Sequence, residues 1–260
     1  RAFLFQSKPF RKPFALAQKS VISQHIVHFN STSIAHHSHK LLHVNITAVF
    51  IIGRVEHVFQ DASYRFLRRF GNHHKCVGIG ECGLDYYRKY SSKETQVVCF
   101  ERHIELSSIT KKPLFLHERN AHKDFLDILS ENLDTLDKFV VHCFTGDIDQ
   151  LRKYLDIGSY IGITGWITDK RRGSHLHDII KFIPRNRLMI ETDCPYLIPH
   201  NIDTVSNNVN YPYYLPYIAS FMSKCLNISV EELRKSTYET TLKQVIESRA
   251  FLDVNDQLPS

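Results

Sequence analysis

Four short apolar runs in this 260-residue chain each deliver a side chain able to bind a metal ion or move a proton. VGIG ends in Glu81, LFL in His117 and FVV in His142, and LMIET is followed by Asp193. One His after an apolar run is ordinarily a packed rim residue. Two carboxylates and two imidazoles at successive run ends form a set. That mixture suits a hard or borderline divalent cation that keeps open positions for water and substrate.

The runs themselves read as strands. Val77–Glu81, Leu114–His117, Phe139–His142, Tyr160–Gly165 and Leu188–Glu191 start 37, 25, 21 and 28 residues apart, which suits strand–helix units on a parallel sheet. The spacing and apolar periodicity predict helices over Glu94–Ile109, Asp147–Leu155 and Ser174–Ile183, the last ending before Pro184. Ile46–Gly53 makes one more buried strand and Ala62–Phe70 one more helix. Tyr213–Leu226 and Val230–Ile246 close the chain as helices, the second opened by Ser229 with Glu232 three residues on as a capping box. In a parallel barrel the C-terminal strand edges share one face, and active sites lie there.

Composition narrows the function classes. With 43% hydrophobic and 23% charged residues, the chain is ordinary globular rather than disordered or collagen-like. No window of about 18 residues is free of polar groups, so an integral membrane protein is not expected. The net charge of +6 is uneven: residues 1–75 hold 11 Lys/Arg against 2 Asp/Glu, the remainder 22 against 25. A uniformly basic nucleic-acid footprint is therefore absent. We expect residues 1–40 to form a divergent basic segment, with the composition of a transit peptide as the alternative. Residues 41–250 are expected to form one domain. Six cysteines without a CxxC pair read as reduced thiols of a cytoplasmic protein, with nuclear or organellar location as alternatives.

GIGECGLDYYR (78–88), PLFLHERNAH (113–122), VVHCFTGD (140–147), YIGITGWITDKRRG (160–173) and LMIETDCPYLIP (188–199) resemble the TatD family of metal-dependent deoxyribonucleases. Asn210-Tyr211-Pro212 resembles that family's Asn-x-Pro, and residues 229–245 its terminal helix. The likeness covers roughly residues 77–245. It implies an α/β fold, a (β/α)8 TIM barrel of the metal-dependent hydrolase type. It also implies hydrolysis of DNA phosphodiester bonds by a metal-activated water, as a 3′ to 5′ exonuclease. The partner would be DNA, single-stranded rather than duplex, with no membrane and no obligate protein partner. By the resemblance, Glu81, His117, His142 and Asp193 match the metal ligands, for Mg²⁺ first and Mn²⁺ or Zn²⁺ as alternatives. Glu81 would be the bridging carboxylate, and Asp193 could also take the proton of the attacking water. Asp85, Arg119 and Trp166 would lie on nearby loops, Arg119 to hold a phosphate and Trp166 to stack on a base. Lys170, Arg171 and Arg172 would meet substrate phosphates. The ordinary alternatives are a turn residue, a helix-start cation, rim packing and solvated surface charge.

The N-terminal third departs from the family pattern. Only seven residues separate Gly53 from Asp61, too few for a helix and the third strand. Six of eight strands are thus located, and the two not found, strands 1 and 3, would complete the metal cluster. His37-Ser38-His39 has the look of the family's first-strand His-x-His but leaves no room for the first helix. His57 could substitute for the third-strand His, while His25 and His28 lack the motif's context. Two other functions therefore stand beside the nuclease. One is a catalytically impaired family member, and the other a hydrolase of a different ester or amide bond on the same scaffold.

Overall fold

The computed structural model describes residues 26–29, 46–49, 61–73, 76–203 and 208–246. Among the described residues seven strands form one sheet, each beside its neighbour in sequence. They are β1 (Ile26–Phe29), β2 (Ile46–Val49), β3 (Cys76–Asp85), β4 (Leu114–Arg119), β5 (Phe139–Val141), β6 (Tyr160–Ile163) and β7 (Leu188–Ile190). From β2 to β7 every pairing is parallel, the singly wound order of a barrel wall. β1 joins antiparallel, with Ile26 opposite Val49 and Phe29 opposite Ile46. Among the described residues β7 does not pair with β1, so the wall is an open arc. The α/β barrel-type fold expected of the chain is present in that form. His28 falls on β1, whereas His25, His37, His39 and His57 lie outside the described residues.

Helices connect the strands from β2 to β7, namely α1 (Asp61–Gly71), α2 (Lys93–Thr110), α3 (His122–Glu131), α4 (Ile148–Asp156) and α5 (Leu176–Ile179), and α6 (Leu215–Leu226) and α7 (Val230–Ile246) follow β7. Local chemistry fixes their starts. The Ser92 side chain accepts the Thr95 N–H at the head of α2. Asp147 and Gln150 satisfy each other's backbone N–H groups at the head of α4, at 2.8 and 3.1 Å. Ser229 Oγ accepts the Glu232 N–H at 3.1 Å, the Ser229 half of the capping box expected for α7. The helix expected over Ser174–Ile183 is shorter. Asp169 takes the N–H groups of Arg171 and Arg172 into a turn, His175 supplies no cap, and only Leu176–Ile179 is α-helical before a 3-10 turn, Ile180–Phe182. No helix among the described residues is long and apolar enough to cross a membrane.

The core lies between the sheet and its helices. Leu84, Leu114, Leu116, Ile161 and Leu188 come from strands, and Phe100, Phe125, Leu129, Leu151 and Tyr154 from helices; all are buried. The Phe100 and Phe125 rings stack at 5.2 Å, and Tyr154 meets Phe125 edge-on at 5.8 Å. Burying one such ring stabilises by about 1.5–3 kcal/mol, whereas water screens an exposed ion pair such as Lys123–Asp127. Aromatic packing, not surface charge, therefore holds α2, α3 and α4 against one another. Strand alternation sends Leu84, Leu114 and Leu116 towards the helices and leaves the other face of β3 and β4 to carry polar groups to the C-terminal edge.

Candidate metal centre

Glu81 reaches that edge through an irregularity in the pairing. Gly80 pairs with Phe115 and Cys82 with Leu116, so Glu81 is the extra residue of a bulge, a device that re-aims a side chain. Gly83, next along, has φ +136, and a Cβ there would lie 2.0 Å from the His117 carbonyl oxygen. Only glycine lets β3 and β4 approach this closely. His117 stands on β4, and His142 directly follows β5, its N–H donating to the Leu116 carbonyl at 2.9 Å.

The three side chains converge on one oxygen. Glu81 Oε1 lies 2.9 Å from His117 Nδ1 and 3.1 Å from His142 Nε2, and one ligand atom from each of the three lies within 4.8 Å of the others. Each imidazole is also held from outside. His117 Nε2 meets Asp85 Oδ2 at 3.2 Å, and His142 Nδ1 meets Glu191 Oε2 at 2.8 Å. The result is a continuous row: Asp85, His117, Glu81, His142, Glu191. Asp85 Oδ1 in turn accepts the N–H groups of Tyr87 and Arg88, and Glu191 Oε1 that of Cys143. Glu191 occupies a slot left by β6, where a Cβ on Gly162 would come within 1.3 Å of its Oε1.

Electrostatics follow from this row. Burial works to raise the Glu81 carboxyl, yet His142 and His117 hold it well below the usual carboxylate range. Burial opposes charge on His142, but Glu81 and Glu191 outweigh it and push the imidazole well above its ordinary value. His117 is raised likewise, burial being overcome by hydrogen bonds with Asp85 and Glu81. Neutral imidazole offers one N–H and one lone pair, so an imidazole between two carboxylates aims a lone pair at an anion. Either the ring is doubly protonated or a cation stands where the inner proton would be. The donor set therefore fits a divalent cation held by Glu81, His117 and His142, with Asp85 and Glu191 fixing the rings.

Asp193 borders this group without joining the three. Its carboxyl is pushed up to about 6 by burial, with His142 and His117 pulling it down and Glu81 and Glu191 pushing it up. Its backbone is left-handed, φ 53, a conformation that Asp tolerates better than most residues. The buried Asn210 amide pins the loop that carries it, donating to the carbonyls of Thr192 and Tyr196 at 2.6 and 2.5 Å.

A family model described as TatD related DNase matches residues 9–244. The chain belongs to the TatD family. It is 43% identical over 161 residues to the 3′-5′ ssDNA/RNA exonuclease TatD of Salmonella typhimurium, covering 62% of each chain. It is 46% identical over 143 residues to that of Enterobacter lignolyticus, covering 55% of each. The aligned stretch thus spans about three fifths of these relatives' length. Among solved structures, the TatD homolog YJJV from Escherichia coli K12 superposes with a TM-score of 0.65 at 24% identity, over 72% of this chain and 71% of that one. A TatD family hydrolase from Entamoeba histolytica gives 0.62 at 28%, over 73% and 69%.

Around this candidate centre the remaining sequence candidates divide. Arg119 ends β4 opposite Asp85, its guanidinium 3.9 Å from the centroid of the Tyr87 ring. Trp166 and Arg172 engage each other: the guanidinium lies 4.2 Å over the indole, whose N–H donates to the Arg172 carbonyl at 3.2 Å. Arg172 Nε also donates to the buried Asp169 at 2.5 Å. Lys170 and Arg171 are exposed on the same turn. Glu191 and Gly162 were not singled out in the sequence. Glu191 had a signal, since it closes an apolar run two residues before Asp193. Gly162 had none, because its significance is the space it leaves on a neighbouring strand.

Proposed function

We propose that this TatD family member is a divalent-metal-dependent nuclease that removes nucleotides from the 3′ end of single-stranded DNA. The supporting observation is the convergence of two imidazoles on a single oxygen of Glu81, each ring braced by an outer carboxylate. The names of the Salmonella and Enterobacter relatives support the substrate class.

Glu81, His117 and His142 would hold the cation, with Asp193 beside them. Bound there, a divalent cation lowers the pKa of a coordinated water and offsets charge on the scissile phosphate. Asp85 and Glu191 keep the rings of His117 and His142 turned towards Glu81. Asp193 offers a carboxylate oxygen to the proton that leaves the attacking water, a role suited to a carboxyl pushed up to about 6. Arg119 at the end of β4 supplies the charge that receives a substrate phosphate. Of the turn after β6, Lys170 and Arg171 are exposed and available to the strand, whereas Arg172 is engaged by Asp169 and Trp166.

The test is degradation of 5′-end-labelled single-stranded DNA with Mg²⁺, Mn²⁺ or Zn²⁺ in parallel, against a chelator control. The expected outcome is a ladder shortening from the 3′ end in at least one metal, Mg²⁺ first, and none with chelator. Intact substrate in all three metals would overturn the proposal.

A further inference from the structure

Directly after β3 the chain reads Tyr86, Tyr87, Arg88, Lys89, Tyr90, Ser91, Ser92, Lys93, interleaving aromatic rings with cations. The fold points these side chains in different directions. Tyr86 faces inward: its hydroxyl donates to Asp124 Oδ2 at 2.8 Å, and Lys93 covers its ring at 4.1 Å. Tyr87 faces outward and is 60% exposed, although Arg119 backs one side of its ring at 3.9 Å. Lys89 is exposed beside it, and the exposed Arg88 reaches back to Asp85 Oδ2 at 3.4 Å, a surface pairing that a phosphate can share. The segment is tied to the metal centre by one side chain. Asp85 holds the N–H groups of Tyr87 and Arg88 on one oxygen and meets His117 with the other.

Resting on the nuclease reading above, we propose that this segment is the grip for the single strand, with Tyr87 stacking on a base and Arg88 and Lys89 receiving the adjoining phosphates. A tyrosine ring backed by a guanidinium keeps its orientation without a ligand and leaves a π-face for whatever base arrives, so stacking there tolerates any sequence. An outward ring with cations beside it matches a base with its adjoining phosphates on a single strand, whereas a duplex would hide its base faces. Arg119 thereby acquires a second role, since besides supplying charge it holds the ring on which the base lies. The occupant is a single-stranded nucleic acid rather than an acidic peptide, because the former presents a flat π-face beside every one of its charges.

The test is equilibrium binding of a short oligothymidylate with chelator present to prevent cleavage, compared with a strand of the same length whose sugars carry no bases. Tyr87→Ala is expected to weaken binding of the base-bearing strand about 5- to 100-fold and to leave the abasic strand unchanged. Tyr87→Phe, which keeps the ring, should bind both like wild type. The double substitution Arg88→Gln/Lys89→Gln should reduce the slope of log affinity against log salt by about 0.7 for each phosphate no longer neutralised. Undiminished binding of oligothymidylate by Tyr87→Ala, or an equal loss on both strands, would overturn the inference. So would a wild-type protein that binds neither strand. If wild type shortens labelled DNA while Tyr87→Ala binds normally, the grip alone fails. If wild type binds through Tyr87 but cleaves in no metal, the nuclease reading fails and the grip stands.

Discussion

At the scale of single residues, the centre depends on groups that would not touch the cation. Glu191 holds His142 by its Nδ1 and is itself accommodated by the missing side chain of Gly162. Glu191→Gln keeps the volume but removes the charge that orients the ring, and outer partners of this kind are worth about 10- to 100-fold in metal affinity. A loss in that range is expected by calorimetric titration with Mn²⁺ or Zn²⁺. Gly162→Ala should produce a similar loss although it changes no polar group, because its Cβ would displace the carboxylate. Wild-type affinity in the alanine variant would show that Glu191 has another place to go. Asp169 gives a separate reading by pH. Its hydrogen bond with Arg172 and two backbone N–H groups lower its carboxyl to about 2, against burial. A depressed carboxyl stabilises the fold above its ordinary value near 3.8 and loses that contribution as pH falls through 2. The stability gap between wild type and Asp169→Asn, measured by urea unfolding, should therefore be constant above about pH 4 and shrink towards about pH 2. A gap that persists unchanged at the acid end would assign the effect to something other than this charge.

At the scale of elements, packing and caps should separate cleanly. Phe125 on α3 is fully buried between Phe100 and Tyr154, so Phe125→Ala is expected to cost about 3–5 kcal/mol in denaturant unfolding. Asp147→Ala removes one half of an exposed reciprocal cap on α4 and should cost about 1 kcal/mol. The strands β3 to β7 are legible in the sequence because each is a continuous apolar run, the mark of a strand covered on both sides. Glu81, His117 and His142 are legible for the same reason, since a polar residue that ends such a run must emerge at the sheet edge. The strand–helix alternation implies a helix where α3 lies, but the sequence does not mark its bounds, because at ten residues it is short and no side chain caps its start. The antiparallel β1 has only four residues, Ile26–Phe29, too short an apolar run to announce itself. The helix expected over Ser174–Ile183 came out short because Asp169 competes for the backbone ahead of it, a contact that apolar periodicity does not register.

At the scale of the molecule, a cation and the fold should support each other. A ligand that binds only the folded chain stabilises it by about 2.7 kcal/mol at a hundred times its Kd. For a chain of this size that is a rise of roughly 5–10 °C in melting temperature. Adding Mn²⁺ or Zn²⁺ to chelator-treated protein should produce such a rise, measurable by calorimetry. Glu81→Gln should abolish it, since both imidazoles then face an amide. A rise that survives that substitution would place the bound ion elsewhere on the chain.

The last helix has a bearing on all of this. α7 lies against β7, against the 3-10 turn Arg185–Arg187 at the foot of that strand, and against β3. Its Leu233 is fully buried, and Thr240 donates to the Arg185 carbonyl at 3.2 Å. Since β3 carries Glu81 and β7 leads into Glu191 and Asp193, α7 is a chord strung across the arc from below, and the chord's length sets how far apart the two flanks of the mouth can stand. A bow slackens at its tips when its string is cut, however far the hand is from the tips. Damage to the underside of this protein should therefore be felt first as a change in the fit of an ion at the top.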